Sequence, residues 1–255
     1  AQTTLAGGWL GSEQILPIPI GRATAKVRDA SNCFNLNSLV TDNEGRYQAS
    51  ATGQEQMTSL MVVLGINENS ARSIAAAAAD WADSDVTPLP GGAEDDAYRG
   101  GANPFLAANR LYAHPSELRA VKGITPAVYA KLRDWLCALP EATLSPLNVN
   151  TLLPEQAPLL AMLFPPGRLG IAAARSHLAK RPANGYGSLI RFWEAPELAA
   201  LNAAPLVQGQ VKLTSKYFLL DSKVSLGELA LEGEAMIVAS PAPARVIWRS
   251  WGEPE

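Results

Sequence analysis

The spacing of apolar and polar positions changes period twice along the chain. Residues 15–20 and 23–29 alternate with a period near two, broken at Gly21, and predict two strands. Before them, residues 2–11 carry Gly7, Gly8 and Gly11 without a strong cap and read as a frayed lead-in. Residues 33–40 set Phe34, Leu36 and Leu39 among asparagines and predict a compact turn. From Thr52 the period becomes helical. Met57, Leu60, Met61, Val63 and Leu64 share one face, and Asn69 or Ser70 opens a second helix that runs through alanines to Ala82. Helical spacing resumes at 116–121, 126–139, 154–164, 169–180 and 188–193. Beyond Val207 short strand-like runs return at 211–220, 222–226, 229–232, 235–240 and 245–251. Strands at both ends of a helical middle predict an α+β fold, an antiparallel sheet carrying a large helical insertion. The expected division is a discontinuous sheet domain over 1–45 and 206–255, with an all-helical domain over 46–205.

Composition sharpens this picture mainly by exclusion. A chain of 255 residues, 47% hydrophobic and 18% charged, has enough apolar material for a real core. Its net charge of −3 argues against nucleic-acid binding through bulk charge. No apolar run approaches the ~18 residues needed to span a bilayer. The first residue is Ala1 rather than Met, so a removed targeting or anchoring segment is expected upstream. Cys33 and Cys137 are either one disulfide or two buried thiols.

Catalytic signatures are missing. The chain holds no G-x-S-x-G, H-E-x-x-H or phosphate-cradling glycine loop, and His114 and His177 read as surface or capping residues without a local catalytic partner. The expectation is therefore a protein that is not an enzyme. The hairpin-like stretch 117–132 resembles a helix-hairpin-helix element, but Thr125 stands where the second turn glycine would be, so it reads as a packing module and no nucleic-acid partner is expected.

The unusual feature is acidic. Asp80, Asp83, Asp85, Glu94, Asp95 and Asp96 crowd one stretch that has no Lys or Arg, flanked by Trp81 and Tyr98. Pro88, Pro90, Gly91 and Gly92 favour a folded turn there. Carboxylates folded together repel unless a cation holds them, and hard oxygen ligands select Ca²⁺; the absence of nearby Cys or His argues against zinc. Asp83, Asp85 and Glu94 rank first as ligands, Asp80, Asp95 and Asp96 after them, for one or two structural Ca²⁺ ions.

Six strings in order then point to a family. They are C-F-N-L-N-S-L from Cys33, D-W-A-D-S-D from Asp80, G-A-E-D-D-A-Y from Gly92, H-P-S-E-L from His114, L-N-V-N-T from Leu147 and S-K-Y-F from Ser215. Together they resemble the K-type minor pseudopilins of the bacterial type II secretion system. The resemblance implies a type IV pilin-like fold with a helical insertion, and calcium at the acidic strings. It also implies a membrane helix upstream of this chain as the sole membrane contact, and a periplasmic location in a Gram-negative bacterium. The implied partners are the I- and J-type minor pseudopilins and the H-type pseudopilin, in a tip complex that starts pseudopilus assembly and limits its length during export of folded proteins. The periplasmic setting makes a Cys33–Cys137 disulfide the expectation. The competing reading is a stand-alone periplasmic protein that binds calcium, or DNA through the hairpin-like element.

Overall fold

The computed structural model describes residues 2–100 and 103–252. Its main sheet has five antiparallel strands in the order β1 (Glu13–Leu16), β2 (Arg22–Asp29), β7 (Tyr217–Leu226), β8 (Leu229–Val238) and β9 (Arg245–Trp251). Between β2 and β7 the chain forms β3 (Phe34–Asn35), β4 (Val40–Asn43), β5 (Arg46–Ala49), α1 (Ala51–Val63), α2 (Glu68–Asp80), α3 (Asp95–Tyr98) and α4 (Pro126–Leu132). There follow β6 (Leu136–Cys137), α5 (Ala157–Ala161), α6 (Ile171–Ala179), α7 (Leu189–Trp193), α8 (Pro196–Ala199) and α9 (Pro205–Gln210). The α+β expectation, an antiparallel sheet interrupted by a helical insertion, holds. No helix among the described residues is long and apolar enough to cross a membrane.

The sheet has two unlike faces. Residues directly opposite in an antiparallel ladder share a face. The pairings Ala23 with Val224, Val27 with Leu220 and Leu220 with Ala235 therefore build one apolar face, continued by Leu231 and by Trp251 opposite Gly233. Leu231, Val246 and Trp251 are exposed on the sheet. Gly233 is needed because a Cβ there would lie 2.5 Å from the Trp251 ring. The other face carries Arg28 paired with Asp221 and Glu234, and Lys223 paired with Glu232.

Where the polar face meets the insertion, Tyr217 and Val238 pack with Ala30, Cys33, Cys137 and Leu139 in a small second core. Cys33 and Cys137 are joined as a disulfide across 104 residues, as expected. In the loop-entropy account a closure of that length restricts the unfolded chain by about 4–5 kcal/mol.

Several elements differ from the sequence reading, each for a tertiary reason. The lead-in is not frayed: Thr3 donates its N–H to Leu213 O, the Thr3 hydroxyl accepts from Ser215 N, and Trp9 packs on Phe218. The helix at 126–139 ends at Leu132, because Leu136–Cys137 extend to pair in parallel with Phe34–Asn35. Strand β7 runs unbroken through Ser222, and β8 through Gly233, since each residue's face is set by the opposite strand. The cap of α2 is Asn67, whose side chain accepts from Asn69 and Ser70 N, and the helix stops at Asp80. The hairpin β4–β5, turning at Glu44 and Gly45 with positive φ, was not expected. Phe34, Leu36, Leu39 and Val40, grouped with the sheet by sequence, pack in the main core with α1 and α2.

Candidate metal centre

The acidic stretch leaves the C-terminal end of α2. Alanines 75–79 are buried, so α2 packs closely in the core with α1 residues such as Met57 and Leu60, and this fixes where Asp80 emerges. Asp80 is itself fully buried. Its carboxylate accepts from Leu89 N at 3.2 Å and from Ala93 N at 2.6 Å, which folds the chain back on itself. Gly92 fits only as glycine, since a Cβ would sit 2.0 Å from Asp80 Oδ2. Aromatic packing holds the return: Trp81 meets Tyr98 edge-on at 5.5 Å, and Phe105 stacks on Tyr98 at 5.2 Å. Ser84 exchanges hydrogen bonds with Tyr47, and Asn109 donates its backbone N–H to Trp81 O.

This folding brings Asp83, Asp85 and Glu94 together, each offering a carboxylate oxygen within 4.8 Å of the others. Asp83 is 2% and Glu94 6% exposed, while Asp85 is open to solvent. One Asp83 oxygen and both Glu94 oxygens are buried without a hydrogen-bond partner. Desolvation, reinforced by Asp85, Asp80 and Glu94, pushes Asp83 up to about 7. Glu94 rises to about 7 from desolvation and then from Asp80, Asp85 and Asp95. Burial also raises Asp80, against the pull of its two backbone donors. Buried, partnerless carboxylate oxygens converging on one point suit a hard divalent cation, which would replace their lost hydration.

The remaining acids do other work. Asp95 accepts from Ala107 N at 3.0 Å and pairs with Arg99; Asp96 is highly exposed and also pairs with Arg99. Arg99, three and four residues on at the C-terminal cap of α3, pairs with both. Asp80 is held by backbone amides. Signals that the sequence reading missed lie elsewhere. Asn32 Nδ2 donates to Thr151 Oγ1 and Asn148 O, and Asn148 Nδ2 donates to Thr3 O and Ser215 Oγ. Asp29 accepts from the Thr151 and Ser215 hydroxyls and from Ser31 N. These buried and half-buried polar residues tie the insertion to the sheet; the strings L-N-V-N-T and S-K-Y-F hinted at them. His114 caps the turn at Pro115–Ala120, as its sequence position suggested, but His177 is buried rather than on the surface. In the hairpin-like stretch, Gly123 lies against Ile74 and Thr125 accepts from Val128 N as a cap.

Comparison with known proteins matches this architecture to one family. Residues 32–141 and 147–213 match the two family profiles described as type II secretion system (T2SS), protein K. The chain is 32% identical over 251 residues to the type II secretion system protein K of Klebsiella pneumoniae, covering 98% of this chain and 76% of that protein. It is 31% identical over 252 residues to that of Pectobacterium carotovorum subsp. carotovorum, with the same coverage of 98% and 76%. A solved structure described as the GspK-GspI-GspJ complex from enterotoxigenic Escherichia coli Type 2 Secretion System superposes with a TM-score of 0.84 at 30% identity. That match covers 99% of this chain and 88% of the solved one. The chain belongs to the type II secretion system protein K family.

Proposed function

We propose that this protein is a minor pseudopilin at the tip of the type II secretion pseudopilus, assembling with I- and J-type partners. There it starts filament assembly and limits filament length, with its domain in the periplasm of a Gram-negative bacterium and its anchor in the inner membrane. The observation that carries this reading is the two-faced sheet with a bulky helical insertion joined at one end. An open apolar face, lined by Val224, Leu231 and Trp251, suits packing by an apolar helix, as in a pilin-like subunit. The insertion, stapled by the disulfide where it packs on Tyr217 and Val238 and tied to the sheet by the Asp29 and Asn148 hydrogen bonds, would block a further subunit from stacking above. The likeness to a chain solved with GspI and GspJ supports the same pair of partners here.

The role is structural rather than catalytic. His114 serves as a cap and His177 is enclosed by aromatic rings, so neither is placed as a general base. We further propose that Asp83, Asp85 and Glu94 hold one Ca²⁺, with solvent and backbone carbonyls completing its shell. The ion would neutralise the cluster and fix the return loop. The test of the tip reading is assembly: mixing this chain with the soluble domains of the I- and J-type pseudopilins of the same bacterium should give a stable ternary complex by size exclusion. Separate elution of all three at every ratio would overturn it.

A further inference from the structure

His177 is a buried titratable group that none of the foregoing uses. It lies on α6 and is 5% exposed. Its imidazole stacks on Tyr186 at 5.5 Å with planes 15° apart, and Phe192 of α7 meets it edge-on at 5.1 Å. Tyr186 and Phe192 also meet edge-on at 5.1 Å, so three rings from α6, α7 and the loop between them form one contact. The Tyr186 hydroxyl closes the group by donating to His177 O. That loop is held from outside too: Tyr186 N donates to Asn150 Oδ1, and Gln2 Nε2 donates to Gly187 O. Nε2 of His177 is buried with no hydrogen-bond partner.

We propose that His177 is an acid-sensitive latch whose protonation releases α7 and the loop at 182–188 from α6. Protonation exceeds the hydrogen-bond capacity of the pocket. A neutral imidazole carries a single proton, which can sit on Nδ1 and leave Nε2 without a donor to satisfy. The imidazolium must carry a proton on both nitrogens, so Nε2–H would be a buried cationic donor with no acceptor. Charged neighbours do not repair this. From α8, Glu197 favours the cation, but it is bridged to Lys180 at 3.5 Å, and Lys180, at the C-terminal cap of α6, itself opposes the cation. Arg181 is occupied by Val149 O and Leu152 O, and Arg175, Arg191 and Glu194 are solvent-exposed. Desolvation accordingly holds His177 below the ordinary histidine value. A group whose folded-state pKa is depressed in this way binds its proton more readily when the pocket opens. Its stabilising effect is complete above about pH 6.5 and is lost as pH falls from there toward the lowered value.

An NMR titration of the His177 ring, with hydrogen exchange of amides 171–199 at pH 7.5 and 4.5, tests this in the whole chain. The ring should titrate below the ~6.5 of a free histidine. Protection of those amides, corrected for intrinsic exchange, should fall about tenfold for each unit of that depression. His177→Phe, which keeps an apolar ring and has no proton to gain, should abolish the loss. A midpoint at or above ~6.5, or the same acid-dependent loss in His177→Phe, would overturn the latch. If His177→Phe does not fold, the wild-type titration decides alone.

Discussion

Among the described residues, two places bury carboxylates, and they treat them in opposite ways. At the junction between sheet and insertion, burial raises Asp29, but two hydroxyls and an amide donate to it, so the protein completes its own hydrogen bonding. In the acidic loop, Asp83 and Glu94 are buried as well, yet three of their oxygens have no partner. A buried carboxylate satisfied by its own chain acts as a joint. One left unsatisfied among like charges asks for an external cation.

The largest effect should come from breaking the joint. Asp29→Ala removes the acceptor of three donors that are themselves partly buried. Hydrogen bonds to charged groups are worth ~1.5–3 kcal/mol each but are not additive when they share one acceptor, so the loss should be about 3–5 kcal/mol by denaturant unfolding, equal in calcium and in chelator. A loss below about 1 kcal/mol would mean that the hydroxyls re-pair elsewhere and that Asp29 is no joint.

Next comes the cation. Wild-type protein should gain about 2.7 kcal/mol at a calcium concentration 100 times Kd, a rise in Tm of roughly 5–10 °C for a chain of this size. Asp83→Ala or Glu94→Ala should remove most of that rise. Equal melting in calcium and chelator would leave the loop as an uncompensated acidic cluster and dissolve the contrast with Asp29.

Proton dependence sharpens it further. Asp83 and Glu94 have folded-state values raised to about 7, so without metal the folded loop prefers the protonated acids. Their contribution is therefore favourable at low pH and is lost as pH rises from ~4 through about 7. In chelator, amide protection over residues 81–98 should increase as pH is lowered from 8 to 5.5, opposite in sign to the region around His177. In excess calcium this dependence should flatten. Metal-free Asp83→Asn should be more stable than metal-free wild type at pH 8 by roughly 1–3 kcal/mol. Protection in chelator that does not change with pH would show the carboxylates to be solvated.

The smallest effect is expected at the rim. Asp96 is exposed and, among the described residues, pairs with Arg99, so Asp96→Asn should leave the calcium-dependent melting shift unchanged. A clear drop in calcium affinity would place Asp96 among the ligands and enlarge the centre.

Much of the fold was written locally. The helical spacing of Met57, Leu60 and Met61 placed α1 within one residue at each end, although the helix is buried on every side over residues 56–61, Gln56, Thr58 and Ser59 included. The gathering of acids between Asp80 and Asp96 located the candidate centre, and the glycines and prolines after Asp85 announced a return. Once the setting was periplasmic, a lone pair of cysteines allowed a single disulfide. Sequence alone therefore determined the α+β architecture, the family and where a candidate centre should be sought.

What each buried polar group touches was decided only by the tertiary structure. Asp29 meets Thr151 and Ser215 across 122 and 186 residues, and no local spacing encodes such pairings. For the same reason the sequence ranked six acids but could not show that Asp80 would take backbone amides, or that Arg99 would hold Asp95 and Asp96. The unbroken run of β7 through Ser222, and the burial of His177 between Tyr186 and Phe192, were hidden in the same way. Apolar period records which side of an element faces inward, a property of a few neighbouring residues. Hydrogen-bond satisfaction depends on which distant segments arrive at that side, and only the folded chain fixes this.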